Sequence, residues 1–251
     1  MMANLAYEDR IKLVGEYQKW ALNYVINTFF ADPSSMPDCK IYNSATSTFI
    51  DTGSKRFAVT NNHVIQQYEN LIKTQRNINY QLGSLVINDI QSRIIDRNKF
   101  YDLVTYELSD EEINSLGKQY CLSTSWPPAK VRKDELLVFV GYPGIWRNIN
   151  SPGKVYFQSA IFIEEIINTS PESFKIHLDI DNYKVLLGPR KFEELSDYGG
   201  FSGAGVFRIR DKKQIATLEP VGIIYEGSNN WKLQFASHIG VIDDNGKIKT
   251  T

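Results

Sequence analysis

The stretch GGFSGAGVF, residues 199–207, places a serine between glycines at the start of an apolar run. Glycines let the chain take positive φ angles and bring backbone N–H groups close to a substrate. A serine hydroxyl is a weak nucleophile at neutral pH, so it also needs a base within hydrogen-bond reach and a group that orients the base. Because a short G-x-S-G string is common by chance, Ser202 is either a nucleophile or a small residue in a tight turn.

The composition excludes several classes of protein. Of the 251 residues, 42% are hydrophobic and 23% are charged, with a net charge of -1, so no general attraction to nucleic acid or to anionic membranes is expected. The N-terminus is charged where a secretory signal would be apolar, and no stretch approaches the roughly 18 apolar residues of a membrane span. With only Cys39 and Cys121 present, a disulfide framework is not expected and a cytoplasmic location is predicted.

The spacing of apolar residues along the sequence changes near residue 41. Apolar residues recur at helical spacing over residues 7–30, and residues 31–40 contain two prolines and are predicted to form a loop. Short β-rich runs separated by turn residues then follow, which is typical of an antiparallel barrel or sandwich, and residues 123–134 are predicted to connect two β lobes. The predicted boundaries are 1–40 for the helix and loop, 41–251 for the β domain, and about 41–125 and 135–245 for its two lobes.

Three histidines, at positions 63, 177 and 238, could serve as the base. His63 follows the β-rich run in RFAVTNNHVI, at a strand end or turn where a side chain can face a cleft. His177 alternates with apolar neighbours in FKIHLDI and is predicted to have a structural role. His238, in FASHIGVI, fits a hydrogen-bonded strand-end histidine better than a site residue. His63 is therefore the candidate base.

The candidate orienting group is Asp102, at the start of the apolar run in YDLVTYEL. A carboxylate there would be carried to the protein edge and partly desolvated, which suits a group that holds an imidazole and stabilises the imidazolium. Taken alone, Asp102 fits a strand-opening turn aspartate equally well.

Together the three segments resemble the chymotrypsin-like (trypsin-like) serine peptidases, especially the bacterial branch with the glutamyl endopeptidases and the high-temperature-requirement proteases. The order His, Asp, Ser is that of chymotrypsin and not of subtilisin or the α/β-hydrolases. The resemblance implies a mainly β fold of two six-stranded antiparallel barrels with an N-terminal helix, and a serine endopeptidase acting on a protein or peptide. The matching stretches are STFIDTGSKRFAVTNNHVI, IIDRNKFYDLVTYEL and DYGGFSGAGVFRI.

The resemblance also implies a role for each residue. Ser202 would be the nucleophile that forms the acyl-enzyme, His63 the general base and then acid, and Asp102 the orienting group. Backbone N–H groups of Gly200 and Ser202 would form the oxyanion hole. The primary substrate pocket would have Ser196 at its base, where a neutral residue argues against a preference for Lys or Arg, although a shift of one position to Asp197 would reverse this. The wall of the pocket would be formed by Tyr225, Glu226 and Gly227.

The sequence departs from the family pattern at Phe201, where Asp or Asn is usual. The oxyanion hole would then be held by packing of the Phe201 ring, or would form only when a substrate or partner binds. The alternative function is accordingly a chymotrypsin-like scaffold that binds a peptide or partner with little turnover, or that needs a partner to become active.

Two further expectations concern partners and cofactors. The N-terminal helix would pack on its own barrel or would dock a regulatory protein or a second copy of the chain. Cysteines and histidines lack metal-ligand spacing and there is no phosphate-binding glycine loop, so no cofactor and no metal are expected.

Overall fold

A computed structural model describes residues 7–35, 40–151, 154–177, 199–212, 215–228 and 232–250. The helices in these ranges are α1 (Tyr7–Leu22), α2 (Asn62–Thr74) and α3 (Asp110–Ser115). The strands of the first lobe are β1 (Val25–Asp32), β2 (Lys40–Asp51), β3 (Arg56–Thr60), β4 (Asn79–Leu82), β5 (Leu85–Ile87), β6 (Ile94–Asn98), β7 (Leu103–Tyr106) and β8 (Cys121–Leu122). Those that follow are β9 (Leu136–Gly141), β10 (Arg147–Ser151), β11 (Lys154–Phe157), β12 (Ala160–Thr169), β13 (Ser173–His177), β14 (Gly205–Lys212), β15 (Ile215–Ser228) and β16 (Leu233–His238).

The predicted fold class is confirmed, because the chain is mainly β and forms two lobes with a helix at the N-terminus. In the second lobe, six antiparallel strands close into a barrel in the order β12-β13-β16-β15-β14-β9. The first lobe is a curled sheet in the order β5-β4-β1-β2-β3-β7-β6, with β8 paired beside β2. Within the described residues this sheet stays open, so the first lobe is a half-barrel where the sequence suggested a closed barrel of six strands.

Strand β9 of the second lobe is buried on both faces. Along β9, Leu137 and Phe139 point into the core of the barrel, whereas Val138 and Val140 pack on its outside. Tyr17 and Ala21 of α1 are buried against this outer face. A strand covered on both sides needs apolar residues at successive positions, which explains the run LLVFV.

The helix predicted over residues 7–30 is wrong in its last third. Helix α1 ends at Leu22, and Val25–Asp32 form strand β1 between β2 and β4. Ile26 and Phe30 pack into the core of the first lobe, while Val25 belongs to the cluster beneath α1. Because both faces of β1 are buried, its apolar residues do not alternate with polar ones, and periodicity cannot distinguish such a strand from a helix.

The described part of α1 packs on the barrel, as one of the two alternatives predicted. The side chains of residues 7–14 lie outside the described residues, so docking of a regulatory protein or a second copy stays a prediction. No helix in the described ranges is long and apolar enough to cross a membrane.

The two lobes meet along an apolar seam. Ile50, Phe57 and Leu103 of the first lobe share one buried cluster with Ile223 and Ile239 of the second. The Ser237 hydroxyl on β16 donates a 2.8 Å hydrogen bond to the carbonyl oxygen of Tyr101, next to Asp102. This seam brings side chains from the two lobes together.

Candidate active site

The seam brings together the three residues that the sequence singled out. His63 is the second residue of α2, and Asp102 directly precedes β7; both belong to the first lobe. Ser202 lies in the loop that leads into β14 of the second lobe. His63 Nε2 is 3.0 Å from Ser202 Oγ, and His63 Nδ1 is 2.6 Å from Asp102 Oδ2. The imidazole therefore bridges a hydroxyl and a carboxylate through its two ring nitrogens.

These groups are partly shielded and still accessible. The side chains of His63 and Asp102 are 35% and 22% exposed, and Ser202 is half-buried. With Asp102 accepting from Nδ1–H, the tautomer of His63 leaves Nε2 free to accept the hydroxyl proton. The arrangement can move a proton from Ser202 Oγ to the imidazole and stabilise the imidazolium that results.

Asp102 also completes the N-terminus of α2. The first N–H groups of a helix lack partners within the helix, and here Asn61, the residue before α2, makes no side-chain cap. The His63 N–H donates to Asp102 Oδ1 at 2.9 Å, and the Asn62 N–H donates to the Asp102 carbonyl oxygen at 3.1 Å. The Asn61 side-chain amide donates to the same carbonyl at 2.8 Å. These bonds fix the carboxylate against the helix that carries His63, and they hold Asp102 at a positive φ of 53°.

Arg97 holds the start of α2 from the other side. Its Nε donates to Asn62 Oδ1 at 3.0 Å, and its Nη1 pairs with Glu69 Oε1 at 2.7 Å. Since Asn62 directly precedes His63 and Glu69 lies two turns further along, Arg97 fixes the helix against β6. No local pattern around Arg97 in the sequence indicates this role.

Two threonines of the first lobe bind residues 199–204, the loop before β14 that contains Ser202 and is called the serine loop below. Thr46 N–H donates to the Ser202 carbonyl oxygen and Thr46 Oγ1 donates to the Gly200 carbonyl oxygen, both at 2.8 Å. Thr48 Oγ1 donates to the Gly203 carbonyl oxygen at 2.8 Å. Both lie on β2 two residues apart, so their side chains share one face of the strand. Sequence reasoning missed them, although the alternation in SATSTF is a signal for a polar face.

The loop conformation requires glycine at two positions. Gly200 has a φ of +99° and Gly203 a φ of +87°. A Cβ at Gly200 would lie 2.2 Å from the Tyr142 carbonyl oxygen, and one at Gly203 would lie 1.9 Å from the Thr46 carbonyl oxygen. Both glycines are therefore fixed by sterics as well as by φ.

The peptide planes before Gly200 and Ser202 are both held through their carbonyl groups. The Gly199 carbonyl oxygen accepts from the Gly144 N–H at 2.7 Å, and the Phe201 carbonyl oxygen accepts from the Ala204 N–H at 2.8 Å. In a trans peptide the N–H points opposite to the carbonyl oxygen, so the directions of the Gly200 and Ser202 N–H groups are fixed as well. Neither N–H has an acceptor in the described part of the chain. The two predicted donors are thus oriented and free.

Phe201 packs into the barrel in place of the usual polar residue. Its side chain is 1% exposed, and its ring centroid lies 6.2 Å from that of Phe139 and 5.7 Å from that of Phe162. Gly141 makes room for the ring, since a Cβ there would lie 2.5 Å from Phe201 Cδ1. Of the two predicted alternatives for this loop, the structure contains the packed ring.

The predicted pocket residues lie at the end of β15, except Ser196, which lies outside the described residues. Pairing with β14 ends at Ile223 opposite Gly205, whereas pairing with β16 continues to Ser228. A β-bulge follows Ile224, and Tyr225 is half-buried while Glu226 and Gly227 are exposed. Burial raises the pKa of Tyr225, and the nearby carboxylates of Glu226 and Asp102 add to the rise. This stretch of β15 therefore borders the site, and in the part of the chain that the structure describes its edge opposite β16 is open.

The two remaining histidines lie away from these contacts. His238 is buried on β16, where Nε2 donates to the Ser170 carbonyl oxygen at 3.0 Å and burial lowers its pKa. His177 is the exposed last residue of β13. Among the described residues, no group of three His, Cys, Asp or Glu side chains is placed to hold a metal ion.

No family model and no curated protein matches the sequence. Several solved structures have a similar backbone. One is described as "Structure of Glu endopeptidase in complex with MPD", with 15% identity, a TM-score of 0.44 and coverage of 84% of this chain and 83% of that one. Another is a thermostable serine protease AL20 from an extremophilic microorganism, with 10% identity, a TM-score of 0.45 and coverage of 86% and 91%.

A third belongs to work on the Sesbania mosaic virus VPg protein, described as intrinsically disordered and folding on binding through aromatic interactions. It has 12% identity, a TM-score of 0.45 and coverage of 85% of each chain. At these low values the similarities do not bear on activity.

Proposed function

We propose that this chain is a serine endopeptidase of the chymotrypsin-like type. The observation that carries the proposal is the continuous hydrogen-bonded chain from Ser202 Oγ through the His63 imidazole to the Asp102 carboxylate, at 3.0 and 2.6 Å. Such a chain supplies what a serine nucleophile needs, namely a base within reach and a group that fixes the tautomer of that base.

In the proposed reaction Ser202 Oγ attacks the carbonyl carbon of the scissile bond while its proton passes to His63 Nε2. The oxyanion of the tetrahedral intermediate accepts hydrogen bonds from the Gly200 and Ser202 N–H groups. The intermediate collapses as the imidazolium returns the proton to the leaving amine, which leaves an acyl-enzyme. Water then attacks the ester with His63 again as base, and Ser202 is regenerated.

The open edge of β15 supports a peptide as substrate. Beyond Ile224 the strand pairs, among the described residues, with β16 alone, so the backbone groups of Tyr225, Glu226 and Gly227 on the other edge can pair with an extended chain. The same strand is bonded to the serine loop, because Gly203 N–H donates to the Ile224 carbonyl oxygen at 2.8 Å and Ile224 N–H to that of Ala204 at 2.9 Å. A peptide added to this edge is held in register with Ser202.

Labelling with a fluorophosphonate probe tests the proposal. Wild-type protein is expected to be labelled covalently, and Ser202→Ala and His63→Ala to remain unlabelled. Ser54→Ala, on an exposed turn of the first lobe, is the matched control and should be labelled as fast as wild type. If the wild-type protein is not labelled, or if Ser202→Ala is labelled as fast as wild type, the proposal is wrong. The alternative of a binding scaffold with little turnover then takes its place.

A further inference from the structure

Asp102 is held in an unusual backbone conformation. Its φ of 53° lies in the left-handed region, which residues other than glycine adopt less readily, although aspartate tolerates it better than most. Such a conformation persists only where the surrounding structure holds it. The direction of the Asp102 carboxylate, and with it the contact with His63 Nδ1, therefore depends on what holds the backbone at Asp102.

Two peptide planes meet at the Cα atom of Asp102, and their orientations set its φ and ψ. The plane after Asp102 is held by the first lobe, because its carbonyl oxygen accepts from the Asn62 N–H at 3.1 Å and from Asn61 Nδ2 at 2.8 Å. The plane before Asp102 contains the Tyr101 carbonyl oxygen, which accepts from Ser237 Oγ at 2.8 Å. Among the described residues, Ser237 is the only donor to this oxygen. One of the two planes is therefore held by the second lobe.

The barrel fixes the position of Ser237. Its strand, β16, pairs with β13 on one side and with β15 on the other. Ser237 is 3% exposed, and its cross-strand neighbour Ile223 belongs to the apolar seam between the lobes. Tyr101 packs against the same apolar cluster from the first lobe. The hydrogen bond from Ser237 to Tyr101 thus crosses between the lobes directly beside Asp102.

We propose that Ser237 is a positioning residue, which acts on His63 through Asp102. This inference rests on the proposed peptidase function. With the seam closed, the Ser237 hydroxyl fixes the plane before Asp102, the carboxylate accepts from His63 Nδ1–H, and Nε2 faces Ser202. Without that hydrogen bond, the φ of Asp102 can relax towards the negative values that residues other than glycine prefer, which turns the carboxylate away from Nδ1. The second lobe then supplies the nucleophile and also aligns the base that activates it.

Asn61 supports the importance of this backbone conformation from the first lobe. Its side chain is 0% exposed, and Nδ2 donates to the Asp102 carbonyl oxygen. Its Oδ1 is buried without a hydrogen-bond partner in the described part of the chain. A buried amide oxygen without a partner destabilises the folded protein. The position that Asn61 gives to Asp102 therefore accounts for this arrangement better than a contribution to stability does.

Removal of the Ser237 hydroxyl tests the inference. In folded Ser237→Ala, fluorophosphonate labelling should slow by about 10²-fold, which is the effect of a displacement of roughly 1 Å in a catalytic constellation. Ser237→Thr keeps a hydroxyl and should be labelled at close to the wild-type rate. If Ser237→Ala does not fold, Ser237→Cys has a similar shape with only a weak donor and should also slow labelling. Labelling of the folded alanine or cysteine variant at the wild-type rate would overturn the inference.

Ser123→Ala is the matched control for the loss of a buried hydroxyl. Ser123 is 5% exposed, and its Oγ also donates to a backbone carbonyl oxygen at 2.8 Å, that of Ser125. This variant should lower the free energy of unfolding and keep the wild-type labelling rate. A loss of labelling in Ser123→Ala equal to that in Ser237→Ala would show that both act through stability, and would contradict a positioning role.

A double variant separates an effect through Asp102 from any other effect of Ser237. In Asp102→Asn the carboxylate is already absent, so the addition of Ser237→Ala should slow labelling little further. Asn61→Ala should behave in the same way, with a large effect alone and a small one in the Asp102→Asn background. A full 10²-fold loss on adding Ser237→Ala to Asp102→Asn would show that Ser237 acts by another route.

The ring tautomer of His63 gives a readout that does not need activity. The ¹⁵N chemical shifts of the neutral imidazole report which nitrogen carries the proton, and with three histidines in the chain His63→Ala assigns the signals. Wild type and Ser123→Ala should have the proton on Nδ1, and Ser237→Ala should gain the Nε2–H form. An unchanged tautomer in Ser237→Ala, or a wild type without the Nδ1–H form, would overturn the inference. A tautomer that depends on Ser237 in a protein that is not labelled would support the inference and refute the peptidase function.

Discussion

Replacing Phe201 by alanine tests how the serine loop is held. The ring is almost fully buried, at 1% exposure, and packs on Phe139 and Phe162. Removal of a buried phenylalanine ring costs about 3–5 kcal/mol, which for a chain of this size corresponds to a fall in Tm of roughly 6–20 °C. Because Phe201 lies between Gly200 and Ser202, its loss also frees the two peptide planes that aim their N–H groups. One such donor is worth about 10²–10³-fold in rate, so labelling by a fluorophosphonate should slow at least tenfold.

The assay combines chemical denaturation with the second-order rate constant of labelling. Phe30→Ala is the matched control, since Phe30 is buried in the core of the first lobe and is not part of the serine loop. Both variants should have a lower free energy of unfolding. Only in Phe201→Ala should the labelling rate fall by more than the fraction of unfolded protein explains. If both variants are destabilised and Phe201→Ala is labelled at the wild-type rate, packing of the ring does not hold the loop.

A second variant disturbs the ring without removing it. A Cβ at Gly141 would lie 2.5 Å from Phe201 Cδ1 and 3.1 Å from the Cβ of Ala204. Gly141→Ala should therefore displace the ring and slow labelling even if Phe201→Ala does not fold. Wild-type labelling by folded Gly141→Ala would contradict the same reasoning.

Three further predictions concern the remaining contacts. Asp102→Asn should reduce labelling by about 10⁴-fold with little change in fold, because the amide favours the wrong tautomer of His63; a rate within tenfold of wild type would exclude this role. Thr46→Val removes the hydroxyl bonded to the Gly200 carbonyl oxygen and should cost about 1–3 kcal/mol and slow labelling, whereas Thr105→Val, which loses a buried bond to Gly246, should cost stability alone. Burial lowers the pKa of Lys118 to about 8, so the unfolded state binds more protons between about pH 8 and pH 10.4 and the free energy of unfolding should rise with pH there; Lys118→Met should flatten this rise, and an unchanged slope would contradict the assignment.

The residues of the candidate site could be predicted because each lies in a short local pattern. His63 follows a β-rich run, Asp102 precedes one, and Ser202 lies close to glycines on both sides. Residue type and chain order were therefore enough to predict that the three side chains lie close together. The fold class followed from the same evidence, since short β-rich runs separated by turn residues indicate an antiparallel β protein. Each of these signals spans about ten residues or fewer.

The features that could not be predicted depend on contacts between distant segments. Strand β1 looks like a helix because its two faces are buried against different clusters. The first lobe is a half-barrel because, among the described residues, its outer strands β5 and β6 do not pair with each other. Thr46 and Thr48 bind a loop more than 150 residues further along the chain, and only the register of the folded lobes brings them there.

The threonine bonds explain how the serine loop keeps its form without the usual polar residue at position 201. Thr46 and Thr48 bind the carbonyl groups of Gly200, Ser202 and Gly203 from the first lobe, while the Phe201 ring anchors the loop in the second. Both lobes are thus needed for the oriented N–H groups, as they are for the contact of His63 with Ser202. Separation of the lobes would remove the base and the oxyanion donors together, so the candidate site exists only while the seam is closed.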